Sequence, residues 1–178
     1  YYNRPDLSAE VIDKDGFFHT GDIGEIVDGQ FLRITDRKKE IFKTASGKYI
    51  APQVLENRFK ESIFIEQVMV IGENERFAAA LVLPAFATLQ KWCEKKEIPY
   101  TNNQEMVKDQ RVIDKIWSEI EKYNADFGNW EKVKKIELLP LEWSIDGGEL
   151  TPKLSLRRKA ILEKYKTQVE QIYKNANQ

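Results

Sequence analysis

The 178-residue sequence predicts an α+β fold: a small domain from Arg37 onward, with a short β-sheet flanked by helices, preceded by a β-hairpin belonging to a separate unit. Three observations predict it. Asp28-Gly29, a strong tight-turn pair, separates two runs rich in β-branched and apolar residues. Apolar residues recur at helical spacing in several later stretches. The elements follow neither the strict alternation of a doubly wound sheet nor a succession of strands alone.

Taken in order, Ile23 to Val27 and Phe31 to Thr35 are the hairpin strands. Ile41 to Lys43 and Tyr49 to Ala51 form a second short extended pair around Ala45-Ser46-Gly47, where Gly47 supplies the positive φ a turn requires. Pro52 suits the first turn of a helix carrying Val54, Leu55 and Phe59, because its missing N–H costs nothing there. Gln67 to Ile71 and Phe77 to Leu83 read as strands, and Pro84 ends the second. Phe86, Leu89 and Cys93 share one helix face, and Ile113, Ile116, Trp117 and Ile120 share another. Asn102-Asn103 between them is a loop suited to capping the second helix. A strand from Lys135 to Leu139 leads through Asp146-Gly147-Gly148 to a final helix with Ile161, Leu162, Tyr165, Val169 and Ile172. No internal repeat or low-complexity segment interrupts this order.

Composition narrows the function classes. The 42% apolar and 11% aromatic content belongs to a chain that packs a core. Lys and Arg number 28 against 29 Asp and Glu, so no global charge attracts nucleic acid or anionic lipid. One cysteine, Cys93, excludes an internal disulfide and a Cys-based zinc site, and its helical position predicts a small buried apolar residue. No apolar run reaches the roughly 18 residues of a membrane span. The N-terminus Tyr1-Tyr2-Asn3-Arg4-Pro5 has no signal-peptide core, no Met and no capped first element, which suggests a cytosolic fragment of a longer polypeptide.

Two segments carry candidate chemistry. In Gly16-Phe17-Phe18-His19-Thr20-Gly21-Asp22, a carboxylate stands beside a glycine turn at a strand entrance. Asp22 has two acceptor oxygens for the vicinal hydroxyls of a ribose, although Thr, Gly and Asp are also ordinary turn residues. His19 has no second His to share a metal, so packing or a surface role is expected. The second segment runs from Ile34 to Pro52 and places five basic residues between Arg37 and Lys48 around Ser46-Gly47. Such a loop can hold phosphates with side-chain charge and backbone N–H groups, and equally can be a solvated charged hairpin.

Together the two segments resemble the motifs that close the N-terminal domain and open the C-terminal domain of adenylate-forming enzymes, which include acyl-CoA synthetases, peptide-synthetase adenylation domains and luciferases. The wording Asp36-Arg37-Lys38-Lys39-Glu40-Ile41-Phe42-Lys43-Thr44, followed by Gly47-Lys48-Tyr49-Ile50-Ala51-Pro52, is most similar to AMP-forming long-chain fatty acyl-CoA synthetases. The resemblance extends over essentially the whole chain. It implies that residues 1–36 end an N-terminal adenylate-forming domain and that residues 37–178 form the C-terminal lid domain. By the same resemblance, Asp22 would bind the ribose hydroxyls of ATP and of the acyl-adenylate, and Arg37 would contact the same nucleotide. Lys39 falls at the hinge, where a few residues absorb the φ/ψ change of a moving lid. Lys43 and Ser46-Gly47 would face the active site during thioester formation, with Gly47 letting the pantetheine arm of CoA pass close to the backbone.

A third constellation, Gly148 to Lys159, corresponds to the segment in which the resembled family places a lysine over the acyl carboxylate and α-phosphate. Aligning Thr151-Pro152 and the basic run puts that position at Ser155. Lys153, two residues earlier, is the first candidate, because a two-residue shift in an extended segment keeps the side chain on one face. Arg157 and Arg158 are alternatives, though a guanidinium fork is not an equivalent point charge.

The implied cofactors are ATP, CoA and Mg²⁺. The implied partners are a fatty acid, ATP and CoA, bound through an N-terminal domain that this sequence does not contain, with no nucleic acid. The location expected is cytoplasmic, with peripheral contact at the inner membrane face. The phosphate loop and the fatty-acid tunnel of the family are absent from these residues. Two alternatives remain: loading of a carrier protein instead of CoA, and a non-catalytic basic-patch module. The latter draws on the six Lys or Arg against one Glu between Leu150 and Lys166.

Overall fold

The computed structural model of the chain describes residues 1–174. Helix α1 (Pro5–Val11) opens it, with Pro5 in the first turn. The sequence pattern gave no signal for this helix, and it buries no residue fully. Strands β1 (Asp22–Val27) and β2 (Phe31–Arg37) form the expected antiparallel hairpin. Asp28 and Gly29 have φ of 52° and 70°, and two successive left-handed residues match the ribbon's twist. Ile26 and Leu32 pair across this ribbon and remain exposed.

β3 (Phe42–Lys43) and β4 (Tyr49–Ile50) form the second hairpin, pairing Phe42 with Ile50 and Lys43 with Tyr49. Gly47 at its tip has φ 81°. α2 (Pro52–Phe59) follows directly, and its N-cap residue Ala51 offers no side-chain cap. The cap comes from β2 instead: Asp36 Oδ2 accepts the Gln53 backbone N–H at 3.2 Å.

The main sheet has the order β5-β6-β7, formed by β5 (Ile65–Ile71), β6 (Ala79–Pro84) and β7 (Lys135–Leu138). β5 and β6 are antiparallel, whereas β6 and β7 are parallel and need a crossover. α3 (Phe86–Lys95), α4 (Asn103–Met106) and α5 (Gln110–Asn124) supply it. The central strand β6 is buried along its whole length, which explains its unbroken apolar run Ala79-Ala80-Leu81-Val82-Leu83.

Phe86, Leu89 and Cys93 are buried as their spacing predicts. α5 turns slightly from the expected face: Val112, Ile116 and Ile120 are buried, while Ile113 and Trp117 are only partly covered. Asn102 caps the short α4, and Asp109 caps α5 through the Arg111 N–H. The final helix is two helices, α6 (Arg158–Lys164) and α7 (Lys166–Lys174). Tyr165 between them is buried, with φ −106° and ψ 24° outside the helical range. Leu162, expected on the packed face, is exposed.

Candidate functional site

Asp22 and Arg37 begin β1 and end β2 and are partners in the ladder. Arg37 Nε donates to Asp22 Oδ1 at 3.2 Å, and the Thr20 hydroxyl accepts the Asp22 backbone N–H at 3.1 Å. A carboxylate and a guanidinium therefore stand together at one exposed ribbon end. Gly21 with φ 80° supplies the turn that brings Asp22 there. The Gly21 carbonyl also accepts the Lys38 N–H at 2.8 Å, tying the entrance of β1 to the segment after β2. His19 lies at the surface, 3.0 Å from Asp13 Oδ2, in the surface role its isolation suggested.

Lys39 is exposed in a single turn, where Glu40 N donates to the Arg37 carbonyl at 2.9 Å. The residues beside it are fixed. Asp36 is 1% exposed, and besides capping α2 it accepts the Arg37 N–H at 2.6 Å. Burial pushes its carboxyl above the ordinary range, opposed by those two backbone donors. Glu40 accepts from Gln53 Nε2 at 2.9 Å and from Arg158 Nε at 3.1 Å. Arg158 also donates to the Val70 carbonyl at 3.0 Å and to Glu56, whose other donor is the Val70 N–H at 2.7 Å. Desolvation raises the Glu56 carboxyl to about 7 despite the adjoining guanidinium. Arg158 is thus committed to packing α6 against α2, β5 and Glu40. It is not available as the adenylation cation the sequence allowed.

Sequence reading missed Asp36, Glu40 and Glu56 as a set because their partners lie far away in the chain. The only local sign was an uncapped helix start at Ala51-Pro52. Between this cluster and α6–α7 lies a cavity of about 680 Å³, lined in part by Lys39, Phe42, Arg157, Leu162 and Tyr173.

The loop tip places Lys43, Ser46 and Gly47 together. An added Cβ on Gly47 would lie 3.6 Å from Lys43 Cε. Ser46 Oγ is 3.0 Å from the hydroxyl of the buried Thr44. The tip is anchored to the β5–β6 connection, because Asn74 N donates to the Lys43 carbonyl and Ala45 N to the Glu75 carbonyl, both at 2.8 Å. Lys43 Nζ lies 5.4 Å from the ring centroid of Tyr49.

The segment around Lys153 differs from expectation. It is a tight loop rather than an extended run: Leu150 and Leu156 form an antiparallel bridge, and Leu154 has φ 59°. Thr151 N donates to the Ser155 carbonyl at 2.9 Å, and Ser155 N donates to Thr151 Oγ1 at 3.1 Å. The chain reverses between Lys153 and Ser155, so strand alternation does not place them on one face. Lys153 sits at the exposed tip without an ion-pair partner among the described residues. Lys164 pairs with the buried carboxylate of Glu149, so two of the six cations in this stretch, Arg158 and Lys164, are engaged internally. That weakens the basic-patch alternative.

Among the described residues, no group of three or more His, Cys, Asp or Glu side chains could hold a metal ion. No helix among them is long and apolar enough to cross a membrane.

Residues 39–177 match the family model described as the AMP-binding enzyme C-terminal domain. The long-chain-fatty-acid–CoA ligase 1 of Homo sapiens is 38% identical over 176 residues, covering 97% of this chain and 25% of that protein. The long-chain-fatty-acid–CoA ligase FadD15 of Mycobacterium tuberculosis is 34% identical over 174 residues, covering 97% of this chain and 29% of that one. The chain therefore spans between a quarter and a third of the length of these relatives. Among solved structures, the adenylation domain of a carboxylate reductase from Mycobacterium chelonae superposes with a TM-score of 0.76 at 25% identity, over 97% of this chain and 25% of that chain. The corresponding domain from Segniliparus rugosus, solved with AMP and a carboxylic acid, gives 0.77 at 23% identity, over 99% and 26%, and speaks for the fold alone.

Proposed function

Because the chain belongs to the family of AMP-binding enzyme C-terminal domains, we propose that it is the moving lid of an AMP-forming long-chain fatty acid–CoA ligase, with residues 1–36 as the end of the preceding domain. The acid and ATP give acyl-AMP and pyrophosphate, and the thiol of CoA then displaces AMP to give the thioester. The observation that carries this reading is the meeting of Asp22 and Arg37 at 3.2 Å, immediately before the Lys39 turn. An ionised carboxylate with one oxygen turned to Arg37 has lone pairs left for two ribose hydroxyls, and the guanidinium keeps further donors for the nucleotide.

The remaining groups take complementary parts. Lys153, free at a loop tip, is positioned to bring a point charge to the carboxylate and α-phosphate where negative charge accumulates. Lys43 and Ser46-Gly47 line the second face, where the positive φ of Gly47 leaves room for a narrow thiol arm. Lys39 is the pivot between the two presentations. Mg²⁺ accompanies ATP and shares the phosphate charge.

The relatives named as long-chain-fatty-acid–CoA ligases support transfer to CoA. The likeness to carboxylate reductase adenylation domains supports a second reading, transfer to a carrier-bound thiol. Incubating the full-length protein with ATP, Mg²⁺ and a long-chain fatty acid, together with CoA or with a carrier protein bearing a phosphopantetheine thiol, separates them. Acyl-CoA and pyrophosphate in equal amounts are expected. Pyrophosphate release with acylation of a carrier alone would overturn the CoA reading.

A further inference from the structure

The turn at Lys39 divides the chain, and among the described residues only one hydrogen bond made by a side chain reaches across it. Asp36, on β2, lies before the turn, and its Oδ2 accepts the backbone N–H of Gln53, on α2, at 3.2 Å. The other hydrogen bonds that span Lys39 belong to the turn itself, from Glu40 N and Ile41 N to the Arg37 carbonyl. No ion pair among the described residues joins residues 1–38 to residues 40–174.

Gln53 is tied to the far side of the turn. Its Nε2 donates to Glu40 Oε2 at 2.9 Å, and the same oxygen accepts from Arg158 Nε at 3.1 Å. Wherever Glu40 and α6 go, the start of α2 goes with them. Asp36 stays with β2, whose ladder to β1 runs to the Asp22 and Arg37 pair. A rotation at Lys39 therefore opens the bond between Asp36 and Gln53 and leaves the bonds on either side intact. It also strips α2 of its cap, since Ala51 at the N-cap offers none. The Asp36 carboxylate, buried in this orientation, loses one of its two backbone donors at the same moment.

Resting on the lid reading above, we propose that Asp36 is a positioning residue that latches the lid in the orientation seen here, so that its bond to Gln53 sets the balance between the adenylating and the thioester-forming orientations. One helix cap is a modest contribution, so it biases the two populations by roughly fivefold and still opens in every turnover. Several such bonds across the turn would hold the lid in one place. Weakening this one shifts the balance, which favours one half-reaction over the other.

The test measures both half-reactions of the full-length protein in single turnovers: acyl-adenylate formation from fatty acid and ATP, and thioester formation from preformed acyl-AMP and CoA. Asp36→Ala is expected to change the ratio of the two rates roughly fivefold, the scale of one lost helix cap. Asp36→Asn keeps an acceptor for the Gln53 N–H and should restore most of the ratio. Gln53→Ala keeps that N–H and removes only the Glu40 bond within the lid, so the ratio should stay as it was. An unchanged ratio for Asp36→Ala, or a matching shift for Gln53→Ala, would reduce Asp36 to an ordinary helix cap and overturn the proposal. Amide hydrogen exchange tests the unmodified protein with no variant at all. Residues 51–55 should exchange at different rates with fatty acid and a non-cleavable ATP analogue bound than with AMP and CoA bound, and equal protection in the two states would also overturn the latch. If the unmodified protein forms neither acyl-adenylate nor thioester, the ligase reading itself fails, a result distinct from the others.

Discussion

Arg158 and Glu40 are 118 positions apart in the sequence, and the Arg158 guanidinium donates to Glu40 Oε2 at 3.1 Å while also reaching Glu56 and the Val70 carbonyl. One side chain therefore fastens the residue after Lys39 to α2, β5 and α6. On the lid reading proposed above, the moving body begins at Glu40 and the preceding turn carries the hinge.

Removing that guanidinium leaves the buried Glu56 without its countercharge. Arg158→Met is expected to lower stability by about 3 kcal/mol, in the range found when one member of a buried ion pair is deleted. Arg158→Lys should recover part of this, because an ammonium keeps the charge but cannot span three acceptors. Urea unfolding of the 178-residue chain measures both. A change below about 0.5 kcal/mol for Arg158→Met would mean that the cluster does not hold the domain together.

Glu56 gives a pH dependence with a definite sign. Its carboxyl is raised by desolvation to about 7, above the ordinary 4.5, so between those values the folded chain binds more protons than the unfolded one. Stability from this group is present below about pH 4.5 and is lost as pH rises toward 7. Arg158 lowers the folded value and Glu40 raises it, and both face the group. Across that window Glu56→Gln should remove a decline on the order of 1–3 kcal/mol relative to the parent chain. Thermal melts at several pH values read it directly, and parallel profiles for the two proteins would refute the assignment.

Asp22 and Arg37 invite the opposite pattern. Their side chains are 30% and 64% exposed, and exposed ion pairs contribute between nothing and about 1 kcal/mol to stability. Asp22→Ala should leave the urea midpoint almost unchanged while raising the KM for ATP roughly tenfold to a hundredfold in the full-length protein, as expected when a charged acceptor for two hydroxyls is lost. A large stability loss with normal ATP use would reduce the pair to a strap on the ribbon.

Local chemistry made much of this legible in advance. Asp28-Gly29 specified its hairpin, Pro52 its helix start, and the run in β6 its burial, because each depends on neighbours within a few residues. The Asp22 and Arg37 contact was not legible in this way, because it needs the register shift between Ile23 and Gly24 that moves Asp22 from opposite Asp36 to opposite Arg37. What escaped depended on distant partners. The cap on α2 comes from Asp36, Arg158 finds its carboxylates on α2 and before β3, and Trp130 meets Lys48 only after the crossover folds back. The break at Tyr165 and the reversal at Leu154 were hidden for another reason: apolar spacing continues through the first, and a non-glycine residue takes a left-handed conformation at the second.

That reversal sharpens the question of which cation serves adenylation. With Arg158 committed to Glu40 and Glu56, and Lys164 to Glu149, the cations near the Ser155 position without an ion pair among the described residues are Lys153 at the loop tip, Arg157 and Lys159. A loop closed by the Thr151 and Ser155 bonds and the Leu150–Leu156 bridge can hold a lysine at a defined place without a helix behind it. Lys153→Ala in the full-length protein should slow acyl-adenylate formation on the order of 100-fold to 1,000-fold, the scale of one lost donor to developing charge. Transfer from preformed acyl-AMP to CoA should persist. Lys43→Ala should do the reverse, sparing pyrophosphate release and slowing thioester formation, because Lys43 lies against the Gly47 tip. Single-turnover assays of each half-reaction resolve the two. Should Lys153→Ala adenylate normally while Lys43→Ala abolishes adenylation, this assignment is wrong; should both variants adenylate normally, Arg157→Ala becomes the variant that identifies the missing cation.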